Sequence, residues 1–188
     1  YVLLPRQKDA ANPYRCWNWF DGATASGRGE AAIVAAMMRK AMRWRRADEA
    51  RTAAIGMSAG AALAAILGVR HGDSVRAVVS VAGIACGAAA SPLTALTVMK
   101  RGPETDVAAV GREAGDGARC VPLLAIHGRS DDVVAPRNAA ALVRQFLARN
   151  GVDVPKGSES TLPDPDHARR ESPLRGHGFA LREWQCGD

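Results

Sequence analysis

The run Gly56-Met57-Ser58-Ala59-Gly60 constrains this chain most tightly. Ala53-Ala54-Ile55 leads into it as a short apolar segment, and Ala61-Ala62-Leu63-Ala64-Ala65-Ile66-Leu67, a strong helix former, follows. A serine held on a tight turn between strand and helix needs that order, with glycines where a side chain would crowd strand against helix. At the tip of such a turn Ser58 stands above a helix N-terminus, whose unpaired N–H groups favour developing negative charge. The context marks Ser58 as a candidate acyl-transfer nucleophile and the Ala59 N–H as a candidate oxyanion donor. An ordinary Gly-Ser turn is the competing reading, because the five-residue pattern alone is common.

The rest of the chain supplies alternating apolar strands and helices. Tyr1–Pro5 reads as a strand, and Arg6 to Arg28 as a polar loop that carries Trp17, Trp19 and Phe20. Glu30 to about Arg45 reads as an amphipathic helix whose apolar side holds Ile33, Val34, Met37, Met38, Ala41 and Trp44. Strands are expected at Thr52–Met57, Ala77–Ala82 and Val121–Ile126, with helices from Ala59 to about Val69 and from about Arg137 to Arg149. Ile84 to Arg119 reads as an irregular or partly helical, Ala- and Gly-rich segment suited to covering a substrate. Gly157 to Arg175 reads as polar and turn-rich, and Phe179–Trp184 as the start of one more strand. At 188 residues this makes a single α/β domain, a mostly parallel sheet with helices on both faces.

Composition narrows the functional classes. Hydrophobic content of 47% and charged content of 23% are those of an ordinary globular protein, and no apolar run has the length of a membrane span or the layout of a signal peptide. The net charge is +6, carried mostly by arginine. Arg39, Arg43 and Arg46 read as the solvated side of the first helix, and no stacking aromatic residues are interleaved with them, which argues against nucleic acid. Cys16, Cys86, Cys120 and Cys186 lack the spacing of a metal site. Their even number permits two disulfides without assigning them, and Cys86 and Cys120 flank apolar segments as buried thiols do. No metal or organic cofactor is implied.

A serine hydroxyl needs a base to take its proton and an acid to orient that base. On a sheet of this kind the chain order is serine, acid, histidine. The loop His127-Gly128-Arg129-Ser130-Asp131-Asp132 follows a strand, and it offers Asp131 as the acid with Asp132 as its rival. His127 precedes the acid and reads as a residue that shapes the acid loop; His71 reads as a helix-end residue. Of the later histidines, His167 lies in a charged, solvated loop, and His177 in Gly176-His177-Gly178 has the small neighbours that suit a mobile catalytic loop.

Val2-Leu3-Leu4-Pro5, Asn12-Pro13, Arg15-Cys16-Trp17-Asn18-Trp19-Phe20, the Ser58 turn and His127-Gly128 through Pro136-Arg137-Asn138 together resemble the poly(3-hydroxybutyrate) depolymerase family of esterases, over most of residues 1 to 150. The resemblance implies an α/β-hydrolase fold and hydrolysis of short-chain hydroxyalkanoate polyester or related esters. It carries the nucleophile to Ser58 and the acid to Asp131, and it sets Trp17 and Trp19 near the substrate cleft, where core packing is the alternative. It also implies export from the cell. The family has a His-Gly-Cys strand upstream, whose loop completes the oxyanion hole, and a Gly-x-Gly-His-Ala-Trp string near its C-terminus. Neither is present here, so the expectation is an internal fragment, incomplete at both ends, in which Cys16 lacks a partner and the catalytic histidine lies beyond Asp188 unless His177 replaces it. A feruloyl or acetylxylan esterase, or a catalytically silent chain, are the alternative readings.

Overall fold

The computed structural model describes residues 1–115, 119–155, 162–172 and 178–186. Three parallel strands, β1 (Ala53–Met57), β2 (Ala77–Val81) and β3 (Leu123–Ile126), form the central sheet in that order. Met57 pairs with Val81 and Val81 with Ile126, so the three strands end at one level. The helices are α1 (Gly22–Ala25), α2 (Gly29–Arg45), α3 (Ala59–Arg70), α4 (Pro92–Arg101), α5 (Val107–Gly115) and α6 (Arg137–Arg149). A separate antiparallel hairpin pairs β4 (His167–Glu171) with β5 (Phe179–Glu183).

Helix α3 is the centre of the core. Every residue from Ala61 to Val69 is buried, so the helix has no solvent side and is apolar all round. Its small residues let it lie close to the sheet. A Cβ on Gly68 would stand 2.5 Å from Val78 Cγ2 and 3.0 Å from Phe146 Cζ, which leaves no room for a side chain between β2 and α6. At the other end of α3, a Cβ on Gly56 would lie 2.1 Å from the Gly60 carbonyl oxygen. Gly56 therefore permits the close approach of strand and helix. Gly60 does not have that role, contrary to the expectation for it, because a Cβ there would meet only Trp17 Cδ1 at 4.0 Å.

Several elements differ from the sequence reading. Tyr1–Pro5 is not a strand: Tyr1, Val2 and Leu4 are exposed, and no strand among the described residues lies alongside to pair with their backbone. Helix α2 is turned from the expected face. Val34, Ala35 and Met42 are buried, while Ile33, Met37 and Trp44 point outward with the exposed Arg43. Its alanine-rich sequence lets either side pack. The charged run His167–Glu171 forms β4 where a turn-rich segment was expected; its strand pairing carries no apolar alternation, since all five residues are exposed. Helices were expected on both sheet faces. Among the described residues they cover the face of Ala54, Val78 and Ser80, and Ile55, Met57, Leu124 and Ile126 on the opposite face are exposed.

The two glycines of the turn predict opposite results. Gly56→Ala should cost about 3 kcal/mol or more, because the clash is with backbone. Gly60→Ala should stay within about 1 kcal/mol of the parent or stabilise it, as alanine suits a helical first turn. Denaturant unfolding of both variants checks the contrast.

Candidate active site

Ser58 occupies a conformation that L-residues avoid, with φ 51° and ψ −122°. Two backbone bonds hold it there: its N–H donates to Val81 O at 2.9 Å, and its carbonyl accepts from Ala62 N–H at 3.0 Å. The first ties the turn to β2, and the second starts α3. The side chain, left at the outer corner, is exposed. Ala59 is the first residue of α3, so its N–H has no helical acceptor and points out of the helix end beside Ser58.

Asp131 lies past the end of β3, two strands from Ser58. Adjacent strands run about 4.8 Å apart, so the ends of β1 and β3 are separated by roughly 10 Å, a gap that an imidazole and its hydrogen bonds can bridge. Asp131 Oδ1 accepts from Val133 N–H and Val134 N–H, both at 2.9 Å. These backbone bonds, Val134 first and Val133 second, hold its carboxyl below the usual 3.8, with the nearby His127 and Lys100 adding to the effect. Oδ2 is left for another donor, with His127 Nε2 at 3.5 Å. His127 is otherwise engaged: Nε2 meets Val134 O at 2.8 Å, in keeping with its expected role of shaping the acid loop. Asp132 is exposed, and its carbonyl accepts from Lys100 Nζ.

The other histidines stand apart from Ser58 and Asp131. His71 Nε2 lies 2.7 Å from Gly27 O at the end of α3, and His167 is exposed on β4. His177 falls outside the described residues. The two tryptophans separate. Trp19 is buried in the core, edge-on to Phe20 with ring centroids 5.7 Å apart. Trp17 is half-buried beside Gly60, next to the serine turn. Between them, Asn18 fixes the string to α2: its N–H and Nδ2 donate to the Glu30 carboxylate at 2.8 and 2.7 Å, and Gln7 Nε2 donates to the same group at 2.6 Å.

Sequence reasoning gave no role to the residues that anchor the acid loop. Ala135 N–H donates to Met99 O at 2.7 Å, and buried Asn138 Nδ2 donates to Val98 O at 2.9 Å and Met99 O at 3.2 Å. The loop is thus bolted to the end of α4. Asn138 was visible only as the last letter of its Pro-Arg-Asn string, and Lys100 carried no signal, because its partner is a carbonyl distant in sequence.

Asp131 sets a pH dependence. Its folded value is depressed, so the ionised carboxylate contributes stability above about pH 3.8, and that contribution disappears as pH falls through the lower folded value. The gap in urea midpoint between the parent and Asp131→Asn should be steady near neutrality and shrink below about pH 3.8. A gap unchanged by acid would show that the charge contributes nothing to the loop.

The profile of a family described as esterase PHB depolymerase matches residues 1–161. Poly(3-hydroxyalkanoate) depolymerase C of Paucimonas lemoignei is 32% identical over 159 residues, which are 81% of this chain and 38% of that protein, so the chain spans well under half of its relative. An acetyl xylan esterase from Aspergillus awamori superposes with a TM-score of 0.71 over 89% of this chain and 63% of that one, at 18% identity. That likeness concerns the fold, which is of the α/β-hydrolase type. No helix among the described residues is long and apolar enough to cross a membrane. The match over residues 1–161, a span that includes the serine turn and the loop of Asp131, means that this chain belongs to the esterase PHB depolymerase family.

Proposed function

We propose that the chain carries the nucleophile and acid of a serine carboxylic-ester hydrolase that cleaves short-chain hydroxyalkanoate polyester or related esters through an acyl-enzyme. The observation that carries this reading is the strained Ser58 at the corner between β1 and α3, which an ordinary turn would have no reason to maintain. Ser58 Oγ attacks the ester carbonyl, and the Ala59 N–H, at the positive end of α3, donates to the oxyanion. A histidine takes the serine proton and passes it to the leaving alcohol; Asp131 Oδ2, not consumed by its own loop, orients that histidine. Water then releases the acid by the same steps in reverse. His177 is the candidate base within this sequence.

Trp17 flanks the turn, and Leu93 and Leu96 of α4 are exposed on the segment 84–119, whose helix α4 holds the acid loop. Exposed apolar side chains on these elements favour an aliphatic polyester as substrate. An extracellular location fits a polymer too large to enter a cell.

The test is hydrolysis of p-nitrophenyl butyrate and release of 3-hydroxybutyrate oligomers, with labelling of the serine by a fluorophosphonate. Ser58→Ala should abolish both labelling and turnover, and Asp131→Asn should lower kcat by about 10⁴-fold. Equal labelling of the folded parent and Ser58→Ala would overturn the reading. If His177→Ala loses activity as Ser58→Ala does, His177 is the base.

A further inference from the structure

Two regions of the chain remote in sequence come together at the C-terminal end of α6. Val121 is clamped there by Asn150: Val121 N–H donates to Asn150 Oδ1, and Asn150 Nδ2 donates to Val121 O, both at 3.0 Å. The segment after β5 is fixed beside it. Trp184 packs with Leu147, Ala148 and Val154, and its Nε1 donates to Pro163 O at 3.1 Å. Gln185 N–H donates to Asp166 Oδ2 at 2.6 Å. Cys120 precedes the first anchor and Cys186 follows the second, and both are half-buried. Both therefore stand at the C-terminal end of α6, Cys120 next to the Val121 anchored by Asn150 and Cys186 just past the Trp184 packed on the Leu147 cluster. Each thiol enters the electrostatic surroundings of the other. Burial, with the neighbouring thiol second, pushes Cys120 up to about 11.

We propose that Cys120 and Cys186 are a redox pair that closes to a disulfide and fastens the β4–β5 hairpin to the entrance of β3. The strands of this hairpin are largely exposed, and its visible attachment is the small apolar cluster around Trp184. A covalent link adds a second attachment at a place where packing alone is thin. The oxidant is a small-molecule disulfide such as oxidised glutathione. The Cys120 and Cys186 thiols each give up their hydrogen, one Sγ–Sγ bond forms, and the oxidant's S–S bond breaks to two thiols that receive the two protons and two electrons. The other cysteines have different surroundings: Cys86 Sγ donates to Ala25 O at 3.2 Å in the core, and Cys16 is exposed. The inference stands on this packing and is independent of the ester chemistry.

Peptide mapping tests it directly. The folded chain is equilibrated with oxidised and reduced glutathione, alkylated in denaturant and digested with trypsin. The expected product joins the peptides Cys120–Arg129 and Glu183–Asp188, about 2 Da lighter than their sum. The oxidised chain should also melt about 5 °C above the reduced one, a rise absent in Cys186→Ser and present in Cys16→Ser. Recovery of those two peptides unlinked from folded, oxidant-treated chain, or linkage of either to Cys16 or Cys86, overturns the proposal. The map of the parent decides the matter even if a serine variant fails to fold.

Discussion

The contact between Gly56 and the carbonyl of Gly60 governs much of this molecule. With no Cβ able to stand between them, β1 can hand the chain to α3 in a single strained residue, and α3 must run back directly under the sheet. That path removes its solvent side, which is why the helix is built from Ala, Leu, Ile, Val and Gly. Gly68, pressed between Val78 and Phe146, extends the same closeness to α6. The strain at Ser58 is sustained because both neighbours are fixed, β1 by its pairing with β2 and α3 by complete burial.

The acid side is built differently. It has no strained residue, and a short loop is held from within by the Asp131 carboxylate and from without by α4 and Asn138. The third feature beside the serine turn, the aromatic string, is fixed by a carboxylate as well, since Glu30 gathers donors from Gln7 and Asn18. Electrostatic anchoring of loops on an apolar, close-packed base separates the two tasks: the core sets distances, and the loop carboxylates set directions.

How far the sequence could be read follows from this division. The central strands and α3 were legible because they are almost wholly apolar, and α6 because its pattern is strongly periodic. The turn at Ser58 and the loop at Asp131 were legible as local structure because a tight turn and an Asx-type loop restrict residue identity near them. Helix α2 was legible as a helix but not in its orientation, since alanine packs on any side and the arginines and larger apolar residues end up sharing the exposed face. The Tyr1–Pro5 run has strand composition but, among the described residues, no strand alongside to pair with, a property no local window contains. Strand β4 is the reverse case: His-Ala-Arg-Arg-Glu has no apolar alternation, and only the pairing with β5 makes it a strand. Lys100 and the shared anchorage of the Cys120 and Cys186 segments at the end of α6 depend on distant segments, and neither leaves a local mark.

The self-sufficient acid loop has a consequence for how this fold can vary. Asp131 receives its orientation from the N–H groups of the two residues that follow closely behind it, so its aim is set within the loop itself. In the proposed triad, a histidine arriving from any part of the chain, on a loop of any length, would meet the same carboxylate oxygen, Oδ2, which takes neither of those N–H groups and has His127 Nε2 at 3.5 Å. On the proposed mechanism, the scaffold thus leaves the sequence address of the proton carrier open, and relocation of that one residue is a change the rest of the architecture would hardly register.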